Sequence, residues 1–434
     1  IAWVLRGVGH GRTLSQPGGA MTAPQVEIWE LRARFAAALS AMYGAEVPAY
    51  TTLVEVSEAV NRDYVAAHPH AERLGSLARV TAERHGAIRV GTPGELTDVA
   101  DLFAAFGMYP VGFYDLREAA SPVPVVSTAF RPVDAAELAR NPFRVFTSML
   151  ASRDSRFFDT DLRARVDRFL QSRTLFDPAL IDTARDIAAR GGCKREQAER
   201  FVADAVGAFA LSHEPVDRAW YAELTAVSGV AADIAGVPTT HINHLTPRVL
   251  DIDDLYRRMT ERGITMIDAI QGPPRTDGPD VLLRQTSFRA LAEPRRFREA
   301  DGTVTEGTLR VRFGEVEARG VALTVKGRER YDAAMAAPDP AAVWHEFFPT
   351  TDEELAAQGL AYYHGGDPAA PVVYEDFLPA SAAGIFRSNL DTDSEATTLD
   401  DESGYTLDWM AGTIGHHIHD PYELYEATAP EPPA

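Results

Sequence analysis

A chain that repeats itself must build the same unit twice, and this one repeats. The segment His85-Gly-Ala-Ile-Arg89-Val90 is matched by His244-Leu-Thr-Pro-Arg248-Val249. Each is followed by a turn, by an acid and Leu (Glu95-Leu96; Asp254-Leu255), and by a helical run that stops at Gly107 or Gly263. Thr128 follows His85 at nearly the separation at which Thr286 follows His244, and Thr-Ala-Phe-Arg131 is echoed by Thr-Ser-Phe-Arg289. Further on, FRVFTSML aligns with LRVRFGEV, which places Met149 opposite Glu315. One matched pair would be chance. Ordered matches at near-equal spacing predict a duplicated β-α-β-β-β unit, and so an α+β fold of two modules.

Helical periodicity and punctuation place the remaining elements. Residues 26–45 read as a helix closed by Gly44, and a second helix is expected over roughly 54–67. ERHGAIRVG, ending in Gly-Thr-Pro-Gly, reads as a strand and turn. GELTDVADLFAAFGMY follows as a helix, then VPVVSTAFRPV and FRVFTSML as strands. Between the two copies, residues 155–235 carry only 3.6-residue periodicity, with Asp159 and Asp177 at helix starts and Gly191-Gly192 at a helix end. This segment is a helical insertion. THINHLTPRV is strand-like, DIDDLYRRMTERG helical, and LLRQTSFRAL and LRVRFGEVEARGVALT are strands. The expected division is an extension over 1–25, helices and first module over 26–150, the insertion over 151–238, a second module with a lid region over 239–425, and a tail over 426–434. Residues 1–20 read as an upstream extension, with Met21 as the native start.

Charge narrows the partners. Lys and Arg total 42 against 63 Asp and Glu, a formal net charge of −21. Such a chain repels phosphate backbones and anionic bilayers, which argues against nucleic-acid or membrane-surface binding. A small anion remains acceptable where an Arg or a metal reverses the field locally. No apolar run is long enough to span a bilayer. The single cysteine, Cys193, cannot form an internal disulfide; it fits a reducing, cytoplasmic compartment and reads as packing rather than as a nucleophile.

The repeat points to a metal. Positions i, i+2 and i+4 of a strand face one way, so His85 shares a face with Arg89 and His244 with Arg248. Two modules packed with pseudo-symmetry would each offer one imidazole to a shared cleft. Glu315 lies on the last strand of the second copy, with Glu317 on the same face as a competitor whose bland role is an ion pair with Arg319 or Arg312. Two His and one carboxylate, with positions left open, is the ligand set of non-haem Fe(II) oxygenases. A lone strand His is more often a satisfied core residue; equivalence within the repeat is what favours ligands here. His241 is three residues before His244, is expected to face the other way, and reads as structural or on the surface. His416, His417 and His419 form a rival cluster with no partner of matching spacing. His68 and His70 flank Pro69 at a helix end and read as capping or solvated. Nucleophile-elbow, P-loop and dinucleotide-binding motifs are absent.

With these residues in view, the chain resembles the 2-oxoadipate dioxygenase/decarboxylases, iron enzymes of the vicinal oxygen chelate superfamily. The telling segments are Ser40-Ala-Met-Tyr43, Arg84-His-Gly-Ala-Ile-Arg89, Asn243-His-Leu-Thr-Pro-Arg248, Leu283-Arg-Gln-Thr-Ser-Phe288, Glu315-Val-Glu-Ala-Arg-Gly-Val-Ala-Leu-Thr324 and Phe377-Leu-Pro-Ala-Ser-Ala-Ala-Gly-Ile-Phe386. They span about residues 28–425. Phe313-Gly-Glu315-Val-Glu-Ala-Arg319 also looks like the final metal-binding strand of the 4-hydroxyphenylpyruvate dioxygenases, in which the first acid is the ligand. The resemblance implies an incomplete barrel of two vicinal-oxygen-chelate modules around Fe(II), held by His85, His244 and Glu315. It implies a substrate-binding role for Arg89, and a backbone-plus-Ser contact from Ala380 and Ser381. The implied reaction takes 2-oxoadipate and O2 to 2-hydroxyglutarate and CO2, as in lysine degradation. The residues alone leave two alternatives: a metal-dependent isomerase or lyase with Zn or Ni on the same scaffold, and a non-catalytic dicarboxylate-binding protein.

Overall fold

Thr92 accepts from the Glu95 amide while the Glu95 carboxylate reaches back, a capping box that starts a helix straight after the first repeat strand. The computed structural model describes residues 26–68, 70–119, 122–310, 312–378 and 403–429. In it the first repeat comprises β1 (Arg84–Val90), α3 (Pro93–Ala104), β2 (Tyr109–Asp115), β3 (Val125–Arg131) and β4 (Arg144–Leu150). It is preceded by α1 (Ile28–Glu46) and α2 (Pro48–Ala67). The second repeat comprises β5 (His244–Pro247), α9 (Ile252–Glu261), β6 (Leu283–Phe288) and β9 (Gly314–Arg319), with the hairpin β7 (Glu293–Arg298) and β8 (Val304–Leu309) inserted before its last strand.

The strands of the two repeats, apart from the β7–β8 hairpin, lie side by side. β2-β3-β4-β1-β5 is a hydrogen-bonded sheet, and β9 pairs with β6. The two join where Arg248 bridges Glu317 and the Val249 amide donates to the Glu317 carbonyl at 2.8 Å. β1 and β5 run antiparallel at the centre, with His85 opposite Thr246 and Ala87 opposite His244. Outward from that pair the order is palindromic: β1, β4, β3, β2 on one side, and β5, β9, β6 on the other. The second copy's outermost strand is reduced to isolated bridges from Met266 to Phe288 and from Gln271 to Gln285.

Register corrects one alignment. Thr128 pairs with Thr147, and its repeat counterpart Thr286 pairs with Val316. Arg89 lies beside Ser148 just as Arg248 lies beside Glu317. Both pairings make Phe146, not Met149, the counterpart of Glu315. The physical reason is alternation. Val145 and Met149 face the helices, in one core with Ile88 and Val90. Phe146 and Leu150 face inward, in another core with Ala87 and Phe313.

Other expectations shift at element ends. Gly44 lies inside α1, which runs on to Glu46, and α2 starts at Pro48 because Pro suits a first helical turn. The helix expected to reach Tyr109 stops at Ala104, and the chain turns through Gly107 at φ 65° into β2. The long strand expected over 309–324 is split: β8 ends at Leu309, and β9 starts at Gly314. A Cβ on Gly314 would lie 1.8 Å from the Phe288 ring, so only glycine allows β9 to close on β6 there.

The insertion is helical as expected: α4 (Thr160–Gln171), α5 (Pro178–Arg190), α6 (Arg195–Gly207), α7 (Arg218–Val227) and α8 (Gly229–Ala235). Asp159 and Asp177 cap α4 and α5, and Gly191 ends α5 in the left-handed region. Helices α1, α5 and α6 bury the outer face of the sheet, and α4, α7 and α8 pack into the inner core with Ala87 and Phe146. Phe35 of α1 stacks on Phe106 at 4.4 Å and meets Phe209 at 6.1 Å. Each such ring, fully buried, contributes about 1.5–3 kcal/mol. The inner face of β1, β5 and β9 carries His85, His244 and Glu315.

Candidate metal centre

Strand alternation sends His85 of β1, His244 of β5 and Glu315 of β9 to one point. One donor atom from each lies within 4.8 Å of the others, and all three side chains are buried. His85 Nε2 is 3.5 Å from Glu315 Oε1, and His244 Nδ1 is 3.5 Å from Glu315 Oε2. The imidazoles meet edge to face, 5.5 Å apart at 84°. No other group of three such donors occurs among the described residues.

The electrostatics fit a cation. Burial, then the charges of His85 and Arg89, push His244 well below the usual imidazole range, so it is neutral and a competent ligand. Its Nδ1 is buried without a hydrogen-bond partner among the described residues. Burial pushes the Glu315 carboxyl up, although His85 opposes this. For His85, burial favours the neutral ring, but the Glu317 and Glu315 carboxylates outweigh it and raise its pKa. A buried neutral imidazole and a buried carboxylate left to share space are groups that a divalent ion would satisfy.

Glu317 plays the other part considered for it. Arg319 donates to it from Nε at 2.7 Å and Nη2 at 2.9 Å. Burial works against its charge, yet Arg319 and His85 hold its pKa far below the usual range. Its Oε2 lies 3.0 Å from His85 Nδ1. It thus orients the His85 ring from behind, as outer carboxylates do at metal-bound histidines.

Arg89 is buried on the same face of β1 and ion-paired with Asp233 of α8. Asp233 also accepts from Asn243 Nδ2 at 2.8 Å and faces His241 Nε2 at 3.2 Å. His241, read as structural or exposed, is buried against this carboxylate. Asp233 and Asn243 escaped the sequence reading, because no local pattern ties a helix of the insertion to β1. Arg248, the repeat counterpart of Arg89, is locked to Glu83 at 2.8 Å instead.

Aromatic rings wall the site. Phe377 stands edge-on to His85 at 5.0 Å, and Phe313 meets His244 at 5.1 Å. The Tyr43 hydroxyl donates to the carbonyls of Asn243 and Phe313 at 3.1 and 2.9 Å, tying α1 to the residues before β5 and β9. The rival histidines do not assemble a site among the described residues. His417 and His419 pack ring to ring at 4.9 Å, and the His419 backbone clips onto β2 through Pro110 and Gly112. His68 caps α2, bonded to the Tyr64 carbonyl at 2.9 Å. Cys193 is buried, and burial raises its thiol pKa, as packing requires. Ala380 and Ser381 lie outside the described residues.

Comparison with known proteins bears on this geometry. The family model for 2-oxoadipate dioxygenase/decarboxylase matches residues 35–389. A 2-oxoadipate dioxygenase/decarboxylase of Mycobacterium tuberculosis is 75% identical over 407 residues, covering 94% of this chain and 98% of that one. The chain belongs to the 2-oxoadipate dioxygenase/decarboxylase family. A solved structure of the hydroxyglutarate synthase from Pseudomonas putida, in complex with 2-oxoadipate, superposes with a TM-score of 0.78 at 35% identity, covering 93% of this chain and 96% of that one. A protein from Ralstonia eutropha named for the glyoxalase superfamily shares the fold, with a TM-score of 0.52 at 20% identity, covering 70% and 88%. The α+β, vicinal-oxygen-chelate-like architecture expected of this family is therefore the one observed. No helix among the described residues is long and apolar enough to cross a membrane.

Proposed function

We propose that this chain is a cytoplasmic Fe(II)-dependent dioxygenase that converts 2-oxoadipate and O2 to 2-hydroxyglutarate and CO2, a step suited to lysine degradation. The observation that carries the reading is the buried His85, His244 and Glu315 cluster, with a buried Arg89 on the same strand face, in a chain of this family. Iron bound there supplies the redox chemistry and a chelation point for the 2-oxo acid.

The chain supplies the rest. Burial keeps His244 neutral and ready to donate its lone pair. Glu317 orients the ring of His85. Arg89 offers a planar fork of donors for the far carboxylate of a six-carbon diacid, and Asp233 holds that fork in place. Phe313 and Phe377 exclude water from the cleft, which strengthens every charge interaction in it. Ala380 and Ser381 are assigned a further substrate contact.

Oxygen uptake with a panel of 2-oxo acids, with and without Fe(II), tests the reading. The expected result is one O2 consumed per 2-oxoadipate, only with Fe(II). Turnover without O2 in the presence of Zn or Ni would indicate the isomerase or lyase. Binding of 2-oxoadipate without turnover would indicate a dicarboxylate-binding protein.

A further inference from the structure

The duplicated sheet supplies one position that the three-donor cluster does not use. His85 and His244 are counterparts in the two repeats. Glu315 has a counterpart as well, and strand register makes it Phe146. Thr147 and Val316 are the partners of the matched Thr128 and Thr286, and Phe146 and Glu315 each precede them by one residue. The β1–β4 ladder agrees, because Arg89 adjoins Ser148 as Arg248 adjoins Glu317. Phe146 therefore stands towards the shared site as Glu315 does, from the other side. Its inward orientation is independent of this superposition. Phe146 belongs to the inner core with Ala87 and Phe313, and its ring is 5.0 Å from that of Phe377, which itself stands 5.0 Å from His85.

We propose that Phe146 sets the ligand count of this centre. Two equal modules would offer two imidazoles and two carboxylates, which would leave a six-coordinate metal one position short of what a chelating 2-oxo acid and O2 need together. A phenyl ring has no lone pair to give and excludes a carboxylate from the fourth place. The protein then contributes three donors, and the remaining positions stay open to a chelating 2-oxo acid and to O2. Phe146 is thus a specificity-determining residue: it selects chemistry that needs three open metal positions over chemistry that two can serve. The proposal rests on the three-ligand reading above.

The probe is Co(II), read by its visible absorption. Phe146→His keeps a flat ring and adds a neutral donor. Losing an outer-sphere partner alone shifts metal affinity by about 10- to 100-fold, so a gained ligand should tighten Co(II) binding by at least about tenfold. The cobalt spectrum should change, and 2-oxoadipate should perturb it only at higher concentration than in the wild type. A second variant exchanges the counterparts, Phe146→Glu with Glu315→Phe. It should recover the Co(II) binding that Glu315→Phe alone loses. A folded Phe146→His with wild-type affinity, spectrum and 2-oxoadipate response would overturn the proposal. So would a folded exchange variant that binds no metal, which decides the matter where Phe146→His does not fold. His85→Ala, run alongside, separates the two readings. If it keeps the metal, the three-ligand reading has failed. If it loses the metal while Phe146→His is unchanged, only the role of Phe146 has failed.

Discussion

Glu315 and Glu317 are two positions apart on one strand face, yet their surroundings give them opposite tasks. Glu317 is paired with the Arg319 fork, so it stays ionised and meets the cluster from behind His85. Glu315 has no such cation, and burial pushes its pKa up until something positive shares the space. Each carboxylate should answer differently to removal. Glu315→Ala should purify without bound iron. Glu317→Ala should still bind iron, weakened by about 10- to 100-fold, because only the orientation of His85 is lost. Metal analysis of the two variants side by side checks this; full iron in Glu315→Ala with none in Glu317→Ala would move the ligand by two residues.

At the scale of elements, no metal-donor group among the described residues draws on the helical insertion. It contributes a positioning group instead. α8 carries Asp233 to Arg89, and the residues before β5 add His241 and Asn243 to the same carboxylate. The guanidinium is thus anchored from a different element than its own strand. Arg89→Ala should keep iron but cost about 2–5 kcal/mol of substrate binding, read as a loss of kcat/KM for 2-oxoadipate. Arg89→Lys keeps the charge without the fork and should also lose activity. Asp233→Asn should raise KM about tenfold, as expected for a weakened charge-assisted hydrogen bond. Discrimination against 2-oxo acids without a second carboxylate should shrink in all three. Unchanged kcat/KM and preference in Arg89→Ala would remove Arg89 from substrate recognition.

At the scale of the whole molecule, the last third of the chain closes back on the first repeat through buried ion pairs. Arg131 of β3 donates to both oxygens of Asp376, at 2.8 and 3.1 Å, and Tyr425 near the C-terminus reaches the same carboxylate. Glu375 beside it accepts from Arg144 of β4 at 2.6 Å. Burial disfavours the charged Asp376, but Arg131 prevails and its pKa lies below the usual carboxylate value of 3.8. In the unfolded chain this group takes up its proton at the higher pH. Its contribution is therefore complete at neutral pH and fades as the pH falls through and below 3.8. Asp376→Asn leaves a buried Arg131 uncompensated and should cost about 3–5 kcal/mol at pH 7. Urea unfolding across this acid range should show a shallower pH dependence in the variant; identical slopes would mean that Asp376 contributes nothing to acid sensitivity.

Much of this was legible in the linear chain, because it is written in local terms. His85 and His244 were found through their shared spacing to Arg and Val. The helices of the insertion were found through period and caps. Glu315 came from resemblance, since spacing alone left it level with Glu317. What depends on contacts between distant segments was not legible. Aligning letters put Met149 opposite Glu315; only hydrogen-bonded register showed Phe146 there, since a strand's face is decided by its partners and by the core it meets. The same letters, His-x-x-x-Arg, gave two arginines with different fates: Arg89 met an aspartate from the insertion, and Arg248 met Glu83. The sequence determined that two like units would form and that each would turn a histidine inward. The tertiary structure decided which carboxylate joins them and which is held back by an arginine, because a buried charge takes its role from the opposite charge packed beside it.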